Sequence, residues 1–265
     1  MREDVAMTST HDLLEAYDEQ LRREGEVGRA DEVVELGPLM LATFEHGGFV
    51  TYRTLEGHDV DTLVSGAIVH FRDRTDVATF EWKTRGHDWP ADLGGRLVAH
   101  GLVAEPAETV MIGEASALAV PVEVLGVVVR RVGQTGDLRG DVEAVLALQE
   151  SVFGRGRGPS VESSLAALET GDSEMWLAEV DGSVVCAGRL QVVPGTEFAG
   201  IWGGGTAPEH RGRGIYRALV AARARSAVER GVRYLHSDCT EMSRPILQRS
   251  GLLPVTTTTP YVWTR

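Results

Sequence analysis

The chain has 265 residues, 43% of them hydrophobic and 25% charged, and a formal charge of −13 from 26 basic and 39 acidic side chains. That length accommodates two domains with cores of their own, and that charge argues against a general nucleic-acid surface, which is basic. No apolar run approaches the ~20 residues of a membrane helix, Met1 to Ala30 holds no signal-peptide core, and the two cysteines and eight histidines show no metal-ligand spacing, so the expectation is a cytoplasmic protein with reduced thiols, no metal and no membrane or nucleic-acid partner.

In the first half, Val33 to Leu36, Leu39 to Phe44 and Phe49 to Thr54 read as short strands with glycine turns. Asp59 to Asp73 is a predicted helix with Leu63, Ala67, Ile68 and Phe71 on one face. Val77 to Lys83 reads as a strand, Pro90 to His100 as a helix, and Leu102 to Gly113 as one extended run. Pro121, within Leu118 to Glu123, marks the boundary. The expected domains are 1–119 and 126–265, with 120–125 as linker.

The second half begins with a strand, Gly126 to Val132. Helices follow at Asp137 to Phe153 and Ser160 to Glu169. Asp181-Gly182 predicts a hairpin between Glu174 to Val180 and Ser183 to Val193. Phe198 to Gly205 is a strand, Gly212 to Arg230 a long helix stopped by Gly231, and Val232 to Asp238 a strand. Ser243 to Ser250 is a short helix and Leu252 to Trp263 a final strand. The class is α/β. Near the end of each half a helix stopped by glycine feeds a strand: Arg96 to Leu102 and Ile246 to Leu252 play the same part.

The segment Ile201 to Leu219 carries the chemistry. A strand ends in Gly203, Gly204 and Gly205, Pro208 breaks it, and Arg211, Gly212, Arg213 and Gly214 open an alanine-rich helix. A helix start offers free N–H groups and the positive end of a dipole. Glycines let an anion approach the main chain, and arginines add charge-assisted donors. The combination reads as a pyrophosphate site. No Gly-Lys-Ser/Thr follows, which excludes a Walker loop, and the glycine spacing does not make a Rossmann fingerprint. Arg155 to Ser160 repeats the text Arg-Gly-Arg-Gly without a preceding strand and reads as a loop.

This segment resembles motif A of the GNAT superfamily of N-acetyltransferases, in which Gln/Arg-x-x-Gly-x-Gly/Ala follows a strand. Arg211, Gly214 and the spacing match; Tyr216 stands where Gly or Ala is usual. The element order from Gly126 to Arg265 is also that of the superfamily. The first half resembles a second such fold, and Phe80 to Lys83 with His87-Asp88 resembles the first half of tandem bacterial acetyltransferases. The implied architecture is two GNAT-like mixed-sheet domains in tandem. The first lacks the glycine-arginine loop before Asp59 and is degenerate; the second carries the acetyl-CoA site.

The resemblance implies that acetyl-CoA lies along the motif strand. Gly204, Gly205 and Thr206 would meet the pantetheine arm; Arg211, Gly212, Arg213, Gly214, Ile215 and Tyr216 would hold the pyrophosphate. Ser243 stands near the usual CoA-contacting asparagine, and Leu247 occupies the position of the usual acidic tyrosine. Attack by a primary amine needs a base at neutral pH. Asp238, at the end of its strand, is the candidate, with Glu197 second. Cys239 reads as a buried thiol rather than a nucleophile. The implied activity is acetyl transfer from acetyl-CoA to a primary amine of a small molecule or protein. The acceptor would lie among the loops near Gly154 to Pro159 and Gly195. A CoA-binding sensor without turnover is the alternative.

Overall fold

The computed structural model describes residues 9–45, 47–154 and 159–265. Residues 155–158 of the predicted loop at Arg155 to Ser160 therefore lie outside the described residues. In chain order the elements are α1 (Thr10–Gln20), α2 (Glu24–Val27), β1 (Glu32–Leu36), β2 (Leu39–Phe44), β3 (Gly47–Tyr52), α3 (Val60–Arg74), β4 (Thr79–Arg85), α4 (Leu93–Ala99), β5 (Val103–Ala104) and β6 (Glu108–Glu114). Then come α5 (Ala115–Leu118), β7 (Val128–Arg131), α6 (Leu138–Phe153), α7 (Val161–Glu169), β8 (Ser173–Val180), β9 (Ser183–Val192) and β10 (Phe198–Thr206). After a 3₁₀ turn at Pro208–His210 follow α8 (Ile215–Glu229), β11 (Tyr234–Cys239), α9 (Arg244–Ser250) and β12 (Leu253–Thr264).

The chain forms two compact units. Unit 1 is Met1–Met111, Asp238–Pro245 and Leu253–Arg265; unit 2 is Ile112–Ser237 and Ile246–Leu252. The division falls earlier than the proline-marked segment at 120–125, which lies inside unit 2. The last strand also departs from the expected arrangement. β12 pairs antiparallel with β4 from Thr258↔Arg85 to Thr264↔Thr79, so the C-terminal strand completes the sheet of unit 1. Nothing in the text of Leu253–Thr264 encodes its partner, because pairing is a non-local choice.

Unit 1 has the strand order β1-β2-β3-β4-β12, with β5 also paired to β12. α3 and α4 bury Val64, Ala67, Phe71 and Leu97 against Leu41, Val50, Phe80 and Trp82. Each valine, leucine and phenylalanine of this set contributes about 1.5–3 kcal/mol on full burial. Gly48 is required here: a Cβ on it would lie 2.3 Å from Phe71 Cε1. The other face of β2 turns Met40 and Ala42 to Val27 of α2. α1 was not legible in the polar text before Ala30. It is nucleated by a capping box, in which Ser9 Oγ accepts from Asp12 N at 3.2 Å and Asp12 Oδ2 accepts from Ser9 N at 3.1 Å.

β3 and β4 are parallel, linked by α3, and their paired register ends at Val50↔Trp82. Beyond it, side chains tie the strands. The Glu26 carboxylate accepts from Thr51 Oγ1 on β3 at 2.5 Å and from Arg85 Nη2 on β4, with Lys83 Nζ at 3.7 Å. Arg85 also donates to Tyr17 Oη at 3.1 Å. Asp88 accepts from Tyr52 Oη at 2.6 Å and from Arg85 N at 2.7 Å, and pairs with Arg22 at 2.9 Å. These buried cations all have carboxylates, as burial demands. The start of α3 is closed by its own acid: Asp59 Oδ1 accepts from the N–H groups of Asp61 and Thr62.

Unit 2 has the strand order β11-β10-β9-β8-β7. α6 lays Val142, Val145 and Leu148 on one face, against Met175, Leu177 and Ala187. α8 lays Ile215 and Leu219 on the other, against Ala178, Val185 and Cys186. β10 is antiparallel to β9 and parallel to β11, from Phe198↔Tyr234 to Gly200↔His236.

Burial pushes the Glu26 carboxyl up, but Arg85 and Lys83 outweigh it and hold it below the ordinary value. A carboxylate lowered on folding stabilises above its unfolded value, about 4.5, and that contribution is lost as pH falls through the folded value. We predict that Glu26→Gln lowers stability at pH 7 by about 1–3 kcal/mol. Urea midpoints of the two proteins should converge as pH falls toward 3.

Candidate functional site

The site starts at a fault in the β9–β10 ladder. Trp202 pairs with Arg189 and Gly205 with Ala187, so Gly203 and Gly204 together oppose Gly188. This is a β-bulge, and Gly203 adopts a φ of +59°, which favours glycine. Its carbonyl accepts from Gln149 Nε2 of α6 at 2.8 Å. On the α8 side Tyr216 reaches the bulge, where a Cβ on Gly204 would lie 2.6 Å from Tyr216 Oη. A Cβ on Gly205 would lie 3.1 Å from Phe153 Cζ and Val152 Cγ1. Close packing therefore accounts for both glycines.

Past the bulge, the chain turns into α8 through Arg211-Gly-Arg-Gly214. Gly212 and Gly214 both have positive φ, +74° and +81°. Among the described residues α1, α3, α6 and α7 each have a side-chain N-cap, from Ser9, Asp59, Asp137 and Ser160. α8 has none: its N-cap is Gly214, and no side chain bonds its first turn. The free N–H groups and the dipole of this 15-residue helix thus face outward. A Cβ on Gly212 would meet nothing within 4 Å. Arg211 donates from Nε to Thr206 O at 3.0 Å, and Arg213 Nη1 lies 2.9 Å from His210 Nδ1. Both arginines are exposed beside this uncapped helix start.

The structure thus brings together Gly204, Gly205, Thr206, Arg211, Gly212, Arg213, Gly214 and Tyr216 in unit 2. Ile215 is 1% exposed and its side chain serves the core, leaving only its main chain for a ligand. Thr206 likewise turns its hydroxyl inward, donating to Cys186 Sγ at 3.1 Å. Ser243 and Asp238 fall in unit 1. Ser243 sits in the turn after β11, donating its N–H to Thr240 O at 3.0 Å. Asp238 stands two residues beyond His236, the last residue of β11 paired with β10.

Asp238 Oδ2 is 2.5 Å from Lys83 Nζ, a contact the sequence did not announce, since 155 residues separate the two. Burial pushes the Lys83 ammonium down, but Asp238 outweighs it and leaves the group raised. Two carboxyls of unit 1 share this neighbourhood. Glu81 is pushed up by burial, against Lys83. Glu108 is pushed up by burial and then by Asp238. Burial, then Glu108 and Asp238, push the Cys239 thiol up to about 11, so it stays protonated at neutral pH. Glu197, the second candidate, is half exposed and pairs with Arg233 at 3.6 Å. Leu247, at the tyrosine position, is buried. Tyr261 and Trp263 pack against the core of unit 1.

A cleft of about 360 Å³ lies on the α6 side of the bulge, with Glu143, Gln149, Glu150, Phe153, Arg189 and Gly203 on its walls. Trp202 folds over Gly200 and stands edge-on to His236, with ring centroids 5.1 Å apart, where β10 and β11 cease to pair. Unit 1 has a cavity of about 620 Å³, whose Arg85 and Asp88 are already bonded within the unit. Among the described residues no cluster could hold a metal ion, and no helix is long and apolar enough to cross a membrane.

Residues 143–248 match the acetyltransferase (GNAT) family. The likeness to that family therefore rests on this one segment of the chain. The bulged strand, the glycine-arginine turn and α8 all lie within the matched residues. Solved structures extend the likeness of fold to the whole chain. A GCN5-related N-acetyltransferase from Kribbella flavida is 18% identical with a TM-score of 0.69, over 97% of this chain and 96% of that one. One from Sphaerobacter thermophilus is 20% identical with a TM-score of 0.63, over 86% and 76%. A tandem GNAT protein from the clavulanic acid biosynthesis pathway is 17% identical with a TM-score of 0.58, over 88% and 81%. No curated protein matches the chain. The likeness of this segment to the family implies acyl transfer from acetyl-CoA.

The contact of Gly204 with Tyr216 is open to a double-mutant test. Gly204→Ala alone should cost about 1–3 kcal/mol through overpacking. In a Tyr216→Ala background the same change should cost much less, as read by thermal or urea unfolding of the four proteins.

Proposed function

We propose that the chain is an acetyl-CoA-dependent N-acetyltransferase acting on a primary amine of a small molecule or protein. The observation that carries this reading is the uncapped start of α8, opened by Arg211 to Gly214 directly after a bulged strand, inside the family segment. Acetyl-CoA supplies the activated acetyl group and a thiolate leaving group. The main chain of Gly204, Gly205 and Thr206 holds the pantetheine arm in the manner of an added strand. The N–H groups of the bulge hold the carbonyl oxygen. Arg211 to Tyr216 holds the pyrophosphate, and Ser243 adds a contact to CoA. Glu143 and Glu150 give the cleft beside Gly203 an acidic wall suited to a cationic amine.

A primary amine of pKa ~10 is mostly protonated at pH 7 and must lose a proton to attack. In this reading Asp238 accepts that proton, directly or through water, and the acetyl group passes to the amine without a covalent acyl-enzyme. The high value of Cys239 supports direct transfer. The first half is a degenerate copy of the same fold that binds no CoA. Two observations support that: Asp59 occupies the start of α3, and Glu26 ties β3 to β4 beyond their paired register.

Acetyl-CoA should bind once per chain and raise the melting temperature by mass action. Gly214→Glu, which puts bulk and negative charge in the cradle, should abolish that shift. A folded Gly214→Glu protein that binds like wild type would sink the site assignment.

Asp238→Asn should lower turnover by ~10²–10⁴ with acetyl-CoA affinity nearly unchanged, the usual loss for a general base. If turnover stays at the wild-type level, Asp238 is a counter-ion for Lys83, and Glu108 and Glu197 are next. A second reading, a CoA-binding sensor without turnover, draws on the Lys83–Asp238 pair and on buried Leu247. Acetyl-CoA binding with no thiol release across a broad amine panel would select it.

A further inference from the structure

Arg223 of α8 has no exposed surface. Its guanidinium donates to main-chain oxygens only, from Nη1 to Arg189 O at 3.0 Å and from Nε to Leu219 O at 3.4 Å. Its Nη2 has no hydrogen-bond partner, and no carboxylate pairs with it among the described residues. The other fully buried arginines differ: Arg22 faces Asp88 and Arg85 faces Glu26. A buried cation without a counter-ion is destabilising unless something else answers its charge.

Its position suggests what does. A Cβ on Gly188 would lie 2.7 Å from Arg223 Nη1, so that strand residue is bare to admit the guanidinium. Gly188 is the residue opposite the bulge at Gly203 and Gly204. The guanidinium carbon lies 5.9 Å from the ring of Tyr216, in the first turn of α8. The charge is therefore set beneath the bulge, one aromatic ring away from the open helix start. Arg211 and Arg213 act on a ligand through solvent; Arg223 acts through the interior, where charge is poorly screened.

We propose that Arg223 is the internal counter-charge for a polyanionic ligand at the start of α8, raising affinity for the phosphates of CoA without touching them. The proposal rests on the reading of Arg211 to Tyr216 as a CoA site.

The test measures binding rather than turnover. Wild type, Arg223→Met, Arg223→Gln and Arg223→Lys would be titrated with CoA and with pantetheine, its uncharged arm, at 50 and 500 mM salt. Both neutral variants should bind CoA about tenfold or more weakly, and pantetheine within about twofold of wild type, since only the phosphates sense the charge. Arg223→Lys should keep CoA affinity within about threefold, and the loss in the neutral variants should persist at high salt. The melting temperature of unliganded Arg223→Met should equal or exceed that of wild type. Equal losses for CoA and pantetheine would mean a packing role and overturn the proposal. So would wild-type CoA affinity in either neutral variant, which leaves the site itself standing. A wild type that binds no CoA overturns the site assignment and the proposal together. If Arg223→Met does not fold, Arg223→Gln, which retains donors, decides the matter against Arg223→Lys.

Discussion

The bulge at Gly203 and Gly204 is the constraint around which unit 2 is arranged. One extra residue on β10 breaks the ladder with β9, and three glycines meet there without side chains. Into that bare area rise Tyr216 and Arg223 from α8, while Gln149 fixes the Gly203 carbonyl from α6. The bulge also ends at the turn that delivers α8 with its first-turn N–H groups uncapped. An ordinary ladder at this point would place side chains where Tyr216 and Arg223 now stand. It would leave no main-chain donors turned away from the sheet. The close packing of Tyr216 and Arg223 thus depends on glycines at this departure from regular pairing.

Unit 1 starts from the same local plan and closes it. Two parallel strands, β3 and β4, pair over three positions, from Gly48↔Phe80 to Val50↔Trp82, as β10 and β11 do from Phe198↔Tyr234 to Gly200↔His236. In unit 2 the next residues form a bulge and a glycine turn. In unit 1 they are Thr51 and Lys83, and Glu26 binds them with Arg85. The helix start is also settled differently: Asp59 satisfies the first donors of α3 and brings a negative charge, where α8 has Gly214. Phosphate is favoured at an open start and repelled at an acid-capped one.

Buried charge is handled in two ways as well. Arg22, Lys83 and Arg85 sit within reach of Asp88, Asp238 and Glu26, so each of these three buried cations has its anion in the same unit. Such a set holds its geometry because removing one member strands the others. Arg130 of unit 2 follows the same rule, with bidentate contacts to Asp141 at 2.6 and 2.7 Å. Arg223 does not, and it lies close to the segment Arg211 to Gly214, which leads from a strand into the uncapped start of α8.

The sequence by itself determined the parts whose causes are local. Asp181-Gly182 predicts the hairpin of β8 and β9, the apolar stripe of α8 predicts its buried face, and Arg211 to Gly214 predicts the open helix start. These follow from turn chemistry, periodicity and glycine's conformational freedom within a few residues. The text before Ala30 hid α1, because a short amphipathic helix with two buried residues, Leu13 and Tyr17, looks polar in sequence. The run from Leu102 to Gly113 read as one strand is two, β5 and β6, split at residues 105–107 where the proline stands. Only the tertiary structure decided that β12 would pair with β4, that Lys83 would meet Asp238, and that Arg223 would be buried without a carboxylate. Each of those depends on residues far apart in the chain coming into one low-dielectric space, and neither spacing nor composition carries that information.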